Sequence, residues 1–175
     1  GTMAVWQALR GRDDKMLFAE TLDARTLDRI LEKAKKPTLI AIVSKSGTTV
    51  ETVANAAVLL EKIGRGARVA AITDENSKLW HWAKKRGYDL VPVPAEVPGR
   101  YSVFTAVGLY PLAAAGIDIQ KLLSGAREIS EDPAAHSALL LHAALKKGKS
   151  IHDTFIFEPD LEAVGKWYRQ LVGES

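Results

Sequence analysis

Within the run Val43-Ser44-Lys45-Ser46-Gly47-Thr48-Thr49-Val50-Glu51-Thr52, four hydroxyls and a cation fall in six consecutive residues, where an apolar segment gives way to an Ala-rich one. If the first segment is a strand and the second a helix, this turn opens at a helix N-terminus. Free N–H groups there point outward, the helix dipole favours negative charge, and small residues let a phosphate reach the backbone. Ser44, Ser46, Thr48 and Thr49 would add hydroxyl donors and Lys45 a charge. The same residues also suit a helix cap that binds nothing, because Thr48 and Glu51 fit a Thr-x-x-Glu capping box. Spacing alone leaves both readings open.

Two further positions have chemical potential. Arg100 lies in Pro98-Gly99-Arg100-Tyr101-Ser102, between a strand-like and a helix-like segment. Its permanent, directional charge can meet a phosphate or a developing oxyanion, or pair with a carboxylate at a helix start. Glu174 follows the amphipathic run Trp167-Tyr168-Arg169-Gln170-Leu171. A carboxylate at the negative end of a helix is biased toward a raised pKa, which suits a general base, though a solvated terminus has the same sequence. The four histidines, at 81, 136, 142 and 152, have no ligand-like spacing, so no metal site is expected.

The elements that position these residues alternate. Asp23 is placed to cap a helix over 24–36 that Pro37 would stop, and 38–43 reads as a strand buried on both faces of a parallel sheet. A helix comes next over 49–63, then a strand over 68–73, a helix carrying Leu79, Trp80, Trp82 and Ala83, and a proline-bearing strand over 89–94 suited to a sheet edge. Helices are expected over 3–9, 102–115, 119–124, 132–147 and 161–172. Residues 15–19 suit a short strand or an irregular segment, and 150–157 one more strand. Such alternation indicates an α/β, doubly wound parallel sheet.

At 175 residues and 47% hydrophobic, the chain can build one α/β domain. A net charge of +3 is no nucleic-acid signature, and no apolar run reaches membrane-spanning length. Cysteine is absent, which suits a reducing compartment; a cytoplasmic location is expected.

The residues resemble the glucose-6-phosphate isomerase family and its sugar-isomerase (SIS) fold. The resemblance lies in Ser44–Thr52 with Asn55-Ala56, in Gly99–Leu109 continuing to Pro111-Leu112-Ala113, and in Trp167–Leu171 with Glu174-Ser175, which is similar to the start of the family's Glu-Ser-x-Gly-Lys motif. The resemblance implies a three-layer SIS-like sheet lacking its first strand, since the family's Gly-Ile-Gly-Gly-Ser segment is absent. It implies that Ser44, Lys45, Ser46 and Thr49 bind a sugar phosphate, that Arg100 stabilises enediol oxygens and that Glu174 moves a proton between C1 and C2. No redox cofactor or metal is implied. The partners implied are glucose 6-phosphate or fructose 6-phosphate and a second copy, as a homodimer or an edge-paired fragment. Residues 1–175 are therefore expected to be a partial SIS domain without the second domain, unstable or paired through open sheet edges when isolated and inactive alone. Two alternatives are a non-catalytic phosphosugar-binding SIS module and the isomerase part of a fused or dual-specificity phosphoglucose/phosphomannose isomerase.

Overall fold

Strands form where apolar residues run unbroken, and β2 (Arg68–Thr73) is the clearest case: every residue after Arg68 is buried. It pairs in parallel with β1 (Leu39–Val43) on one side, Ile40 opposite Val69, and with β3 (Asp89–Pro92) on the other, Ala71 opposite Leu90. The order β1-β2-β3 runs in one direction, as one half of a doubly wound sheet does. These features come from a computed structural model describing residues 1–11, 13–34 and 38–175. The chain is a small α/β unit with a three-stranded parallel sheet flanked by helices. Pro92 sits on the edge strand, where its missing N–H costs no ladder bond.

The crossovers are α3 (Val50–Ile63) and α4 (Lys78–Lys85). Ile40, Ile42, Val69, Ala71, Leu79 and Ala83 form one core cluster, closed by Leu60, Ile63, Trp82 and Leu90. A second cluster joins Trp6 of α1 (Thr2–Arg10) to Leu112 of α5 (Ala106–Ala114), with Ala115, Ile117 and Phe18 around them. Pro111 lies inside α5 and cannot donate to the Val107 carbonyl four residues back; the Thr2 hydroxyl donates to that carbonyl instead, at 3.3 Å. Among the described residues no helix is long and apolar enough to cross a membrane.

Several elements match the sequence pattern. Asp23 caps α2 (Ala24–Lys33), accepting from the Thr26 amide at 2.9 Å and the Thr26 hydroxyl at 2.6 Å. The expected end of that helix at Lys35-Lys36 and Pro37 lies outside the described residues. Helix α7 (Asp132–Lys146) carries its proline in the first turn, and α6 (Ile119–Glu128), capped by Asp118, is longer than its apolar pattern suggested.

Residues 15–19 are irregular, one of the two forms expected for them. Other expectations are corrected. The helix expected over 102–115 is broken: Gly99–Phe104 is a 3-10 helix, and Thr105 turns extended and caps α5, accepting from the Val107 amide at 3.3 Å. Residues 150–157 form no strand. They carry apolar side chains at strand-like density, but no neighbouring strand pairs with them, and Ile151, Phe155 and Phe157 are 83%, 77% and 93% exposed. A short 3-10 turn (Pro159–Leu161) then leads into α8 (Glu162–Glu174), which packs on α1.

Candidate functional site

The hydroxyl-rich turn lies at the C-terminal end of β1, as its sequence placement predicts, but its internal bonding differs. Helix α3 takes Thr49, not Thr48, as its N-cap, so Glu51 falls outside a capping box, and the Thr49 side chain caps nothing. Thr48 instead donates its hydroxyl to Ser46 Oγ at 3.1 Å. The Ser44 hydroxyl is buried, shares a 3.0 Å bond with Thr49 Oγ1 and accepts from the Gly47 amide at 3.1 Å. With no side chain on them, the first amides of α3 remain for solvent or an anion.

The turn is held down by the next strand end. The Thr73 hydroxyl donates to the Ser44 carbonyl at 2.6 Å and lies 2.8 Å from Ser77 Oγ, which accepts from the Trp80 amide as the cap of α4. The Asp74 amide donates to the Lys45 carbonyl at 3.3 Å. Gly47 adopts φ 67°, and a Cβ there would lie 2.8 Å from both Leu79 Cβ and its amide nitrogen. Only glycine combines that backbone with that approach.

Lys45, Ser46 and Thr49 share an open hollow of about 520 Å³ with Asp74, Asn76 and Ser77. Ser44 sits beneath it, bonded to Thr49. A larger hollow of about 880 Å³ lies elsewhere, lined by Leu9, Phe104, Leu122 and Ile129 together with residues of both charges. Its surface is mainly apolar, so the smaller hollow is the better anion candidate.

Arg100 and Glu174 lie at a second locus, and neither lines the hollow at the turn. Arg100 is in the 3-10 helix after β3, and its Nε donates to the hydroxyl of Ser175, the neighbour of Glu174, at 3.0 Å. The indole of Trp167 donates to the Arg100 carbonyl at 2.9 Å, fixing α8 against the 3-10 helix. Glu174 accepts from the Gln170 amide group at 3.2 Å, one turn earlier in α8. The Tyr101 hydroxyl lies 2.6 Å from Ser175 Oγ, and hydrogen bonds from Ser175 and then Arg100 hold its phenol below the usual tyrosine pKa.

Sequence reading missed Thr73, Ser77 and Tyr101. Thr73 and Ser77 close the strand β2 and cap α4, a repeat of the hydroxyl-at-strand-end pattern seen at Ser44, and that parallel was the available signal. The Tyr101 ring is exposed and its hydroxyl joins the Arg100–Ser175 contact.

A parallel sheet with a hydroxyl-lined turn between strand end and helix start is an arrangement of α/β domains suited to meeting an anion. The family model for phosphoglucose isomerase matches residues 1–144. The chain belongs to the phosphoglucose isomerase family. It is 36% identical to the glucose-6-phosphate isomerase of Methanocaldococcus jannaschii, in an alignment covering all of this chain and 47% of that protein. It is 39% identical to the glucose-6-phosphate isomerase of Clostridium novyi over 78% of the chain and 34% of the relative. With a probable glucose-6-phosphate isomerase of Haloarcula marismortui the identity is 32%, over all of the chain and 43% of the relative. The chain thus spans less than half the length of each of these relatives.

Proposed function

We propose that this chain carries part of the site of an aldose–ketose isomerase that interconverts glucose 6-phosphate and fructose 6-phosphate, acting in the cytoplasm in glycolysis and gluconeogenesis. The observation that carries the reading is the Arg100–Ser175 contact, which spans 75 residues of sequence and brings a cation beside the segment bearing Glu174. Isomerisation removes a proton from the carbon beside a carbonyl and returns it to the neighbouring carbon. Glu174 is the base that takes the proton from C2 of the open-chain aldose and delivers it to C1, and Arg100 stabilises the charge on the enediol oxygens between the two steps. Ser46, Thr49, the main chain at Lys45 and the first amides of α3 hold the phosphate, with Ser44 supporting Thr49 from below. In the same interconversion the hydroxyl proton moves from O2 to O1, so that the aldose and ketose differ by these two proton shifts alone.

In this reading residues 1–175 are part of a larger SIS domain, the β1 edge takes a further strand, and a second domain and a second subunit complete the site. The open β1 edge and the relatives' greater length support it. The test is a coupled assay for fructose 6-phosphate conversion on the full-length protein and on its Glu174→Gln variant. The variant is expected to lose activity by about a thousandfold, within the usual range for a general base. Near-normal activity in the variant would overturn the role of Glu174. Phosphosugar binding without turnover in the unaltered protein would instead favour a non-catalytic binding module.

A further inference from the structure

Lys45 is the only cation of the phosphate turn, and a lysine beside a phosphate site is ordinarily read as a ligand. Its ammonium points elsewhere. Lys45 Nζ donates to the Ala95 carbonyl at 2.6 Å and to the Val97 carbonyl at 3.1 Å, reaching from the loop after β1 to the loop after β3. That second loop is itself turned, the Val97 amide bonding the Pro94 carbonyl, and through Pro98 it enters the 3-10 helix that presents Arg100. At the other end of the side chain, the Lys45 main chain is fixed by the Asp74 amide. A lysine anchored at its backbone and bonded at its tip to two carbonyls two residues apart acts as a strut.

We propose that Lys45 is a positioning residue whose ammonium holds the 95–98 loop, and so Arg100, against the phosphate turn, rather than neutralising the phosphate. The proposal rests on the isomerase reading for its catalytic consequence, but not for its geometry. The turn offers an anion the first amides of α3 and the Ser46 and Thr49 hydroxyls, none of which depends on the ammonium. The two carbonyls, by contrast, lie in an exposed loop where a charged donor is a strong tether. Losing it would leave phosphate affinity in place and let Arg100 drift from its productive position, where small displacements have large effects on rate.

Lys45→Met in the full-length protein tests this with three readouts. Amide hydrogen exchange over residues 95–101 is expected to accelerate. The inhibition or binding constant for inorganic phosphate is expected to change by less than about threefold, while kcat falls by about tenfold or more. Lys45→Arg, which can reach both carbonyls, is expected to restore slow exchange and part of kcat. A tenfold loss of phosphate affinity with unaltered exchange over 95–101 would overturn the proposal and return Lys45 to the phosphate; so would unaltered exchange with unaltered affinity. If the unaltered protein does not isomerise fructose 6-phosphate, the functional reading fails, and the exchange and phosphate measurements still decide the role of Lys45.

Discussion

Tyr101 joins the Arg100 locus through its hydroxyl, and this gives the locus a spectroscopic handle. The Ser175 hydroxyl, which shares a hydrogen bond with the phenol oxygen, and then Arg100 favour the phenolate and lower its pKa from 10.0. A depressed folded value means that this group adds stability at high pH, fully so above the unfolded value, and that the gain is lost as pH falls through the folded value. In an absorbance titration of the four tyrosines, Tyr101→Phe should remove a component that titrates below 10. Ser175→Ala should move that component upward, because Ser175 is the larger cause. An unmoved component in Ser175→Ala would show that the 2.6 Å contact does not persist in solution. At the residue scale sequence reading finds Arg100 and Glu174 in separate segments, and the contact of Arg100 with Ser175, next to Glu174, has no signal in periodicity or spacing. What that reading could not reach was the direction of each side chain. Ser44 reads as a ligand by type but is buried as a support, and Lys45 reads as a charge for phosphate but is bonded to carbonyls.

The hydroxyl-rich turn behaves as an element because its geometry is set by the elements on either side. Gly47 needs a left-handed backbone and has Leu79 and Ser77 of the neighbouring crossover within 2.9 Å of where a Cβ would stand. Gly47→Ala should therefore destabilise the protein by about 2 kcal/mol or more, combining the left-handed cost of roughly 1–2 kcal/mol with displacement of backbone that cannot yield. Urea unfolding checks this, and phosphate binding should weaken with it. A variant as stable as the parent would mean that the turn is not clamped. The helices and strands around the turn were legible because each has a local cause: Asp23 as a cap, unbroken apolar runs in β1 and β2, and proline at the β3 edge. The misses have non-local causes. Thr105 breaks the expected 102–115 helix because α5 starts anew under its own cap, with Gly108 brought so close that a Cβ would meet the Val103 carbonyl at 2.1 Å. Residues 150–157 have strand composition, but a strand exists only where another can bond to it.

At the scale of the whole molecule, the body built on the two core clusters contrasts with α7 and the extended run that leads from it to α8. In α7 only Ala144 is even half-buried, with Leu139, Leu140 and Leu145 all more than 60% exposed, and the extended run exposes Ile151, Phe155 and Phe157. In the sheet, β1 is an edge strand with no lysine or proline among its five residues to discourage pairing. A soluble monomer rarely shows so many exposed large apolar side chains together with an open edge. The 175-residue chain expressed alone is therefore expected to self-associate, and light scattering coupled to size exclusion should give a mass at least twice 19.0 kDa. Phe155→Asp with Phe157→Asp should lower that mass if the exposed run drives association, and leave it unchanged if the β1 edge does. Stability should suffer little from the double change, since neither side chain is buried in the core. A monodisperse monomer at tens of micromolar would overturn the expectation and mean that α7 and the run after it fold back on the body in solution.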